Sequence, residues 1–168
     1  MKNFKVSILV LAVGLICAAV LASDEKPWFD LKNCAFCKNF DLGNGVYIVD
    51  HMKTEYHDLP NGFFSITTID PAWQDKFDKA MAGMTEAVKD AQAGKAQTLC
   101  GHCTAYGEIA AAGAKIEAQP SEFGKIFVYT SDNPELVTKL HWFAQKNREE
   151  MAKWAAEKTV AKPATENK

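Results

Sequence analysis

Four cysteines carry the chemistry legible in this chain, as the pairs Cys34-Ala35-Phe36-Cys37 and Cys100-Gly101-His102-Cys103. In a C-x-x-C turn the second cysteine sits about one turn past the first, so both sulfurs can face one point. Two such turns facing each other supply four thiolates at the ~2.3 Å Zn–S distance, the donor set of tetrahedral zinc. Each pair can instead cycle between dithiol and disulfide, or serve only as a staple. Chain entropy ranks the staple low. Closing a four-residue ring stabilises by about 2 kcal/mol, whereas linking Cys34 to Cys100 gives about 4 kcal/mol. Adjacent partners therefore point to metal or redox use. Cys34, Cys37, Cys100 and Cys103 are the predicted ligands of a zinc site. His51 and His57 are candidate additional ligands that would admit copper.

The run Cys100-Gly101-His102-Cys103 resembles the active site of protein disulfide isomerase. That resemblance spans four residues and implies a thiol–disulfide oxidoreductase, with Cys100 attacking, Cys103 resolving and His102 favouring a reactive thiolate. The flanks depart from the thioredoxin-like pattern: Ala93 to Leu99 is polar, unlike a core strand, and no aromatic residue stands just before Cys100. Covalent haem is excluded, because Lys38 and Thr104 occupy the places where it requires histidine. An iron–sulfur cluster fits four cysteines but not an unfolded export route to an oxidising destination. No G-x-S-x-G, H-E-x-x-H or glycine-rich phosphate loop is present, so hydrolase and nucleotide chemistry have no carrier. Metal binding without catalysis is the leading expectation, an oxidoreductase the second, and a binding module with structural disulfides the third.

Compartment follows from the amino terminus. Lys2 and Lys5 precede an apolar run from Val6 to Leu21, and Val20-Leu21-Ala22 has the residues of a cleavage site. Residues 1–22 read as a secretory signal peptide, which directs the protein to the periplasm or the extracellular space. The competing reading is an uncleaved anchor. A lipoprotein signal fits less well, since Cys17 follows the bulky Ile16 inside the apolar run. The formal charge is −2, and loss of the two lysines makes it more negative. With no basic stripe, nucleic acid is a poor partner. A metal ion, or a thiol or disulfide partner protein, is the expected one. With the signal removed, no second long apolar run remains to hold a membrane.

Those cysteines need elements to hold them. After an entry segment with Trp28, Phe29 and Leu31, the first pair leads into a short helix ended by Gly43. Val46 to Met52 suits a strand or a short helix. Thr54 to Leu59 and Phe63 to Ile69 flank Pro60-Asn61-Gly62 as a β-hairpin. Asp70-Pro71 starts a helix whose stripe is Trp73, Phe77, Met81, Met84 and Val88. The second half follows the same plan. Its second cysteine pair leads to a helix from Thr104 to Ala112, then to strands from Lys115 to Ala118 and Lys125 to Thr130. Pro120, Ser121 and Gly124 make the turn. Asp132-Asn133-Pro134 opens a last helix with Leu136, Leu140, Phe143, Met151 and Trp154 on one side.

This order predicts an α+β domain over residues 23–156, made of two pseudo-repeated units (about 28–94 and 95–156) sharing one core, with a disordered tail at 157–168. Met81 and Met84 read as core residues, and His141 as a satisfied, partly buried histidine. His51 and His57 also read as solvated side chains on a hairpin edge, and the Glu149-Glu150 pair as a charged helix face.

Overall fold

The computed structural model describes residues 26–122 and 124–161. The predicted signal segment and the end of the tail lie outside that range. Its fold class is α+β, a four-stranded antiparallel sheet with three α-helices. Strands β1 (Met52–Leu59) and β2 (Gly62–Ile69) form one hairpin, and β3 (Lys115–Ser121) and β4 (Gly124–Thr130) the other. The hairpins join through their second strands, giving the order β1-β2-β4-β3 with Ile66 opposite Ile126.

Side chains alternate across a strand, and β2 shows it plainly. Phe63, Ser65, Thr67 and Ile69 are buried on one face, while Phe64, Ile66 and Thr68 are half-buried on the other. The long helix α3 (Pro134–Ala161) packs on β1, β2 and β4 and also against α2 (Gly101–Ala111). Between them lies the main core of Phe63, Ala105, Ile109, Tyr129, Leu136, Leu140, Phe143 and Ala144. Phe63 and Tyr129 stack there with ring centroids 4.3 Å apart.

Both proline-started helices open as their sequences predict. Asp70 Oδ1 accepts the Ala72 amide at 3.1 Å, leading through a 3-10 turn into α1 (Gln74–Gln92). Asn133 Oδ1 accepts the Glu135 amide at 2.9 Å at the head of α3. Such side-chain acceptors satisfy amides that have no partner inside the helix.

Several expectations need correction. Helix α1 lies against the short 3-10 helix after the first cysteine pair, with no extensive packing on the sheet. Its predicted stripe is therefore only half used: Phe77 is buried with Ala80, Ile48 and Ile69, whereas Val88 is 42% exposed. The ambiguous stretch before β1 is a 3-10 helix, Ile48–His51. Pro120 and Ser121 belong to β3 and not to the turn. An edge strand tolerates proline, because one row of its amides has no ladder partner. Helix α2 starts at Gly101 and takes in Cys103, three residues earlier than predicted. The last helix runs on to Ala161, so residues 157–161 are helical and not a disordered tail. Among the described residues, no helix is long and apolar enough to cross a membrane.

Candidate metal centre

The first cysteine turn is shaped by backbone and amide hydrogen bonds. Asp30 Oδ1 gathers the amides of Lys32 (3.0 Å) and Asn33 (2.9 Å), and Asn33 Nδ2 donates to both of its oxygens. The Asn33 side chain and amide hold the Asp30 carboxyl below its usual range. Cys34 N–H then donates to Asp30 O at 3.3 Å, and Lys38 N–H to Cys34 O at 3.0 Å, closing the turn around the pair. Ala35 N–H reaches across to Thr98 O at 2.8 Å, so the first turn is pinned to the loop that delivers the second. Asn39 Nδ2 takes up the carbonyls of Phe36 (2.8 Å) and Ala35 (3.3 Å). A Cβ on half-buried Gly83 of α1 would fall inside contact distance of Asn39 Oδ1, so this glycine makes room for that side chain.

The second turn is the head of α2. Cys100 is its N-cap with extended backbone, and Thr104 N–H donates to Cys100 O at 3.0 Å. The next two amides, Gly101 and His102, would be orphans at a helix start. They donate instead to Pro27 O (3.0 Å) and Trp28 O (2.9 Å) of the entry segment. A Cβ at Gly101 would lie 3.0 Å from the Trp28 ring, which explains the glycine of this C-x-x-C by packing alone.

All four predicted ligands converge. The Sγ atoms of Cys34, Cys37, Cys100 and Cys103 lie within 4.8 Å of one another. Cys37 Sγ is 3.6 Å from Cys100 Sγ and 3.5 Å from Cys103 Sγ. A tetrahedron with ~2.3 Å metal–sulfur bonds has edges of about 3.8 Å, so small adjustments bring this cage to zinc geometry. None of the four forms a disulfide. Cys34, Cys37 and Cys100 are buried, with Leu31, Phe36, Phe40, Tyr47, Val49 and Trp154 around the group.

In both pairs the amide of the second cysteine donates to the sulfur of the first, from Cys37 to Cys34 and from Cys103 to Cys100. These two acceptor sulfurs are the acidic ones. Hydrogen bonds from Cys100, Cys103 and Cys37 drive the Cys34 thiol far down, and the Cys103 thiol brings Cys100 to about 6. Cys37 and Cys103 are pushed up, chiefly by hydrogen bonding with Cys100. A divalent ion bound by the four sulfurs would draw the thiol protons off.

The histidines fall elsewhere. His51 stacks flat on Trp73 with centroids 3.4 Å apart. His57 lies over Phe64 at 4.8 Å, with Nε2 3.5 Å from Glu55. Neither is among the ligand atoms gathered at the cage. His141 Nε2 donates to Leu59 O at 2.8 Å, the satisfied histidine expected from sequence. Met81 packs against the Ile48 cluster as a core residue. His102 sits between two ligands, but its Nδ1 bonds Asn147 Oδ1 at 2.8 Å, and burial pushes its pKa down to about 4, so the ring is neutral.

Trp28, Asn39, Thr98 and Asn147 were not singled out by sequence reasoning for any part in the site. Asn147 left a signal: it falls four residues after Phe143 on the apolar stripe of α3, where an amide is out of place. No family model, curated protein or solved structure matches the chain.

Proposed function

We propose that this is an exported metal-binding protein in which Cys34, Cys37, Cys100 and Cys103 hold one ion. Zinc is the ion that the donor set suits best. The observation that carries the reading is the convergence of four sulfurs within 4.8 Å, from turns far apart in sequence. Four soft, charged donors select a borderline or soft cation over calcium or magnesium, which take oxygen ligands. A site whose four positions are filled by protein has no vacant one for substrate. Such a closed site serves a structural or metal-handling purpose and not catalysis. Copper remains compatible with thiolate ligands but would gain nothing from His51 or His57. The export reading rests on Lys2, Lys5, the Val6–Leu21 run and Ala22. A duplicated ancestry is supported by two hairpins that each lead into a proline-started helix.

One observation favours a thiol–disulfide oxidoreductase as second reading: Cys100 stands at the N-terminal cap of α2, and its thiol is lowered by the neighbouring Cys103, as suits an attacking thiolate. Its side chain is only 2% exposed, however, and it shares its surroundings with three other sulfurs. The test is metal analysis of protein purified from its native compartment, with a count of reactive thiols before and after chelation. One ion per chain, with four thiols protected until it is removed, is the expected result. Metal-free protein whose Cys100–Cys103 disulfide reduces at a mild potential would establish the oxidoreductase instead. Disulfides resistant to reductant would leave only staples.

A further inference from the structure

Asn147 is completely buried in the middle of α3, at a position where the helix otherwise presents Leu140, Phe143 and Ala144 to the core. An amide in such a place is costly unless each polar atom finds a partner. Its Nδ2 donates to Phe143 O at 2.9 Å, within its own helix. Its Oδ1 accepts twice from outside the helix, from Trp28 Nε1 at 3.1 Å and from His102 Nδ1 at 2.8 Å. An amide oxygen only accepts, so His102 must carry a proton on Nδ1.

Both donors belong to the support of the second cysteine pair. His102 stands between Cys100 and Cys103, and the Trp28 carbonyl holds the His102 amide from the other side at 2.9 Å. The Trp28 ring also covers Gly101. Phe29 and Phe143 pack on the imidazole at 5.2 and 5.0 Å between centroids, so the ring cannot swing without disturbing the core. One oxygen on α3 thus ties together the entry segment and the turn bearing two ligands.

We propose that Asn147 is a positioning residue for the metal centre. Through His102 and Trp28 it fixes the Cys100–Cys103 turn so that all four sulfurs reach one ion. This rests on the metal-binding reading above. Removing a partner that orients metal-ligating groups typically costs roughly 10–100-fold in metal affinity.

The experiment uses the full mature chain. Asn147→Leu removes the acceptor at similar volume, Trp28→Phe removes one donor and keeps a ring, and Leu140→Ala damages the same buried helix face away from the network. Zinc affinity is read by competition with a chromophoric chelator, and site geometry by the absorption spectrum of the cobalt(II)-substituted protein. Asn147→Leu should bind zinc roughly 10–100-fold more weakly with an altered cobalt spectrum, and Trp28→Phe should shift both in the same direction by less. Leu140→Ala should lower thermal stability and leave both unchanged. A metal-independent readout is the ¹⁵N shifts of His102, which should report the Nδ1–H tautomer in wild type and lose that preference in Asn147→Leu. Zinc affinity in Asn147→Leu equal to that of wild type or of Leu140→Ala overturns the positioning role and leaves the metal reading intact. A wild type that binds no metal overturns both. Should Asn147→Leu fail to fold, Trp28→Phe and the wild-type tautomer decide: unchanged affinity or an Nε2–H ring overturns the proposal.

Discussion

Replacing Gly83 with alanine should reverse the sign that such a change normally has. In an exposed helix interior, glycine to alanine stabilises by about 0.5–1 kcal/mol, because alanine loses less backbone freedom on folding. Here the new methyl would run into Asn39 Oδ1. Asn39 cannot simply turn away, since its Nδ2 holds the carbonyls of Phe36 and Ala35 in the first cysteine turn. Overpacking costs about 1–3 kcal/mol, and each hydrogen bond given up costs about 0.5–1.5 kcal/mol more. With one hydrogen bond given up, the net expectation for Gly83→Ala is a loss of about 0.5–4 kcal/mol, after subtracting the propensity gain. In an Asn39→Ala background the obstacle is gone, so the same substitution should stabilise by about 0.5–1 kcal/mol. The cycle would thus show a coupling of about 1 kcal/mol or more, as expected only of residues in contact. Urea denaturation of the four proteins, run with and without zinc, measures it. A single Gly83→Ala protein more stable than wild type would refute the reasoning, and with it the view that Asn39 is wedged between α1 and the first cysteine turn.

Cys37→Ser removes a sulfur that lies 3.6 and 3.5 Å from the two members of the other pair. It should abolish stoichiometric zinc by metal analysis, a larger loss than the roughly 100-fold that an outer partner costs. Burial raises the Tyr56 hydroxyl from its usual value near 10 to about 12. The stability tied to keeping it protonated is full below pH 10 and is lost as pH rises through 12. Between those values wild type should therefore lose more stability than Tyr56→Phe in urea titrations. His141→Phe gives up the 2.8 Å bond to the Leu59 carbonyl at the end of β1. It should cost about 1 kcal/mol by the urea midpoint, with zinc affinity unchanged.

The hairpins and proline-started helices were legible because each depends on local signals: alternation around Pro60-Asn61-Gly62, and an acceptor side chain before Pro71 and Pro134. The four cysteines that converge were legible for a similar reason, as two C-x-x-C turns declare themselves by spacing. What sequence could not supply was the partner of each surface. Val88 fits a helical stripe, yet α1 has no extensive packing on the sheet and leaves it 42% exposed. Pro120 looks like turn chemistry until β3 is known to be an edge. His51 and His57 have ligand chemistry, and only the fold shows that Trp73 and Phe64 occupy their rings. The supports from Trp28 and Asn147 span 119 positions, a separation no local pattern encodes.

The seam between β2 and β4 gives the molecule a particular weakness. Each hairpin closes locally, and among the described residues the β2–β4 ladder is the only strand pairing that joins one hairpin to the other. Were the backbone cut between α1 and α2, each fragment would bare a full row of hydrogen-bonding groups along its inner strand. The two pieces should seek each other or, failing that, a second copy of themselves, so reassembly from fragments and domain-swapped dimers are built into this connectivity.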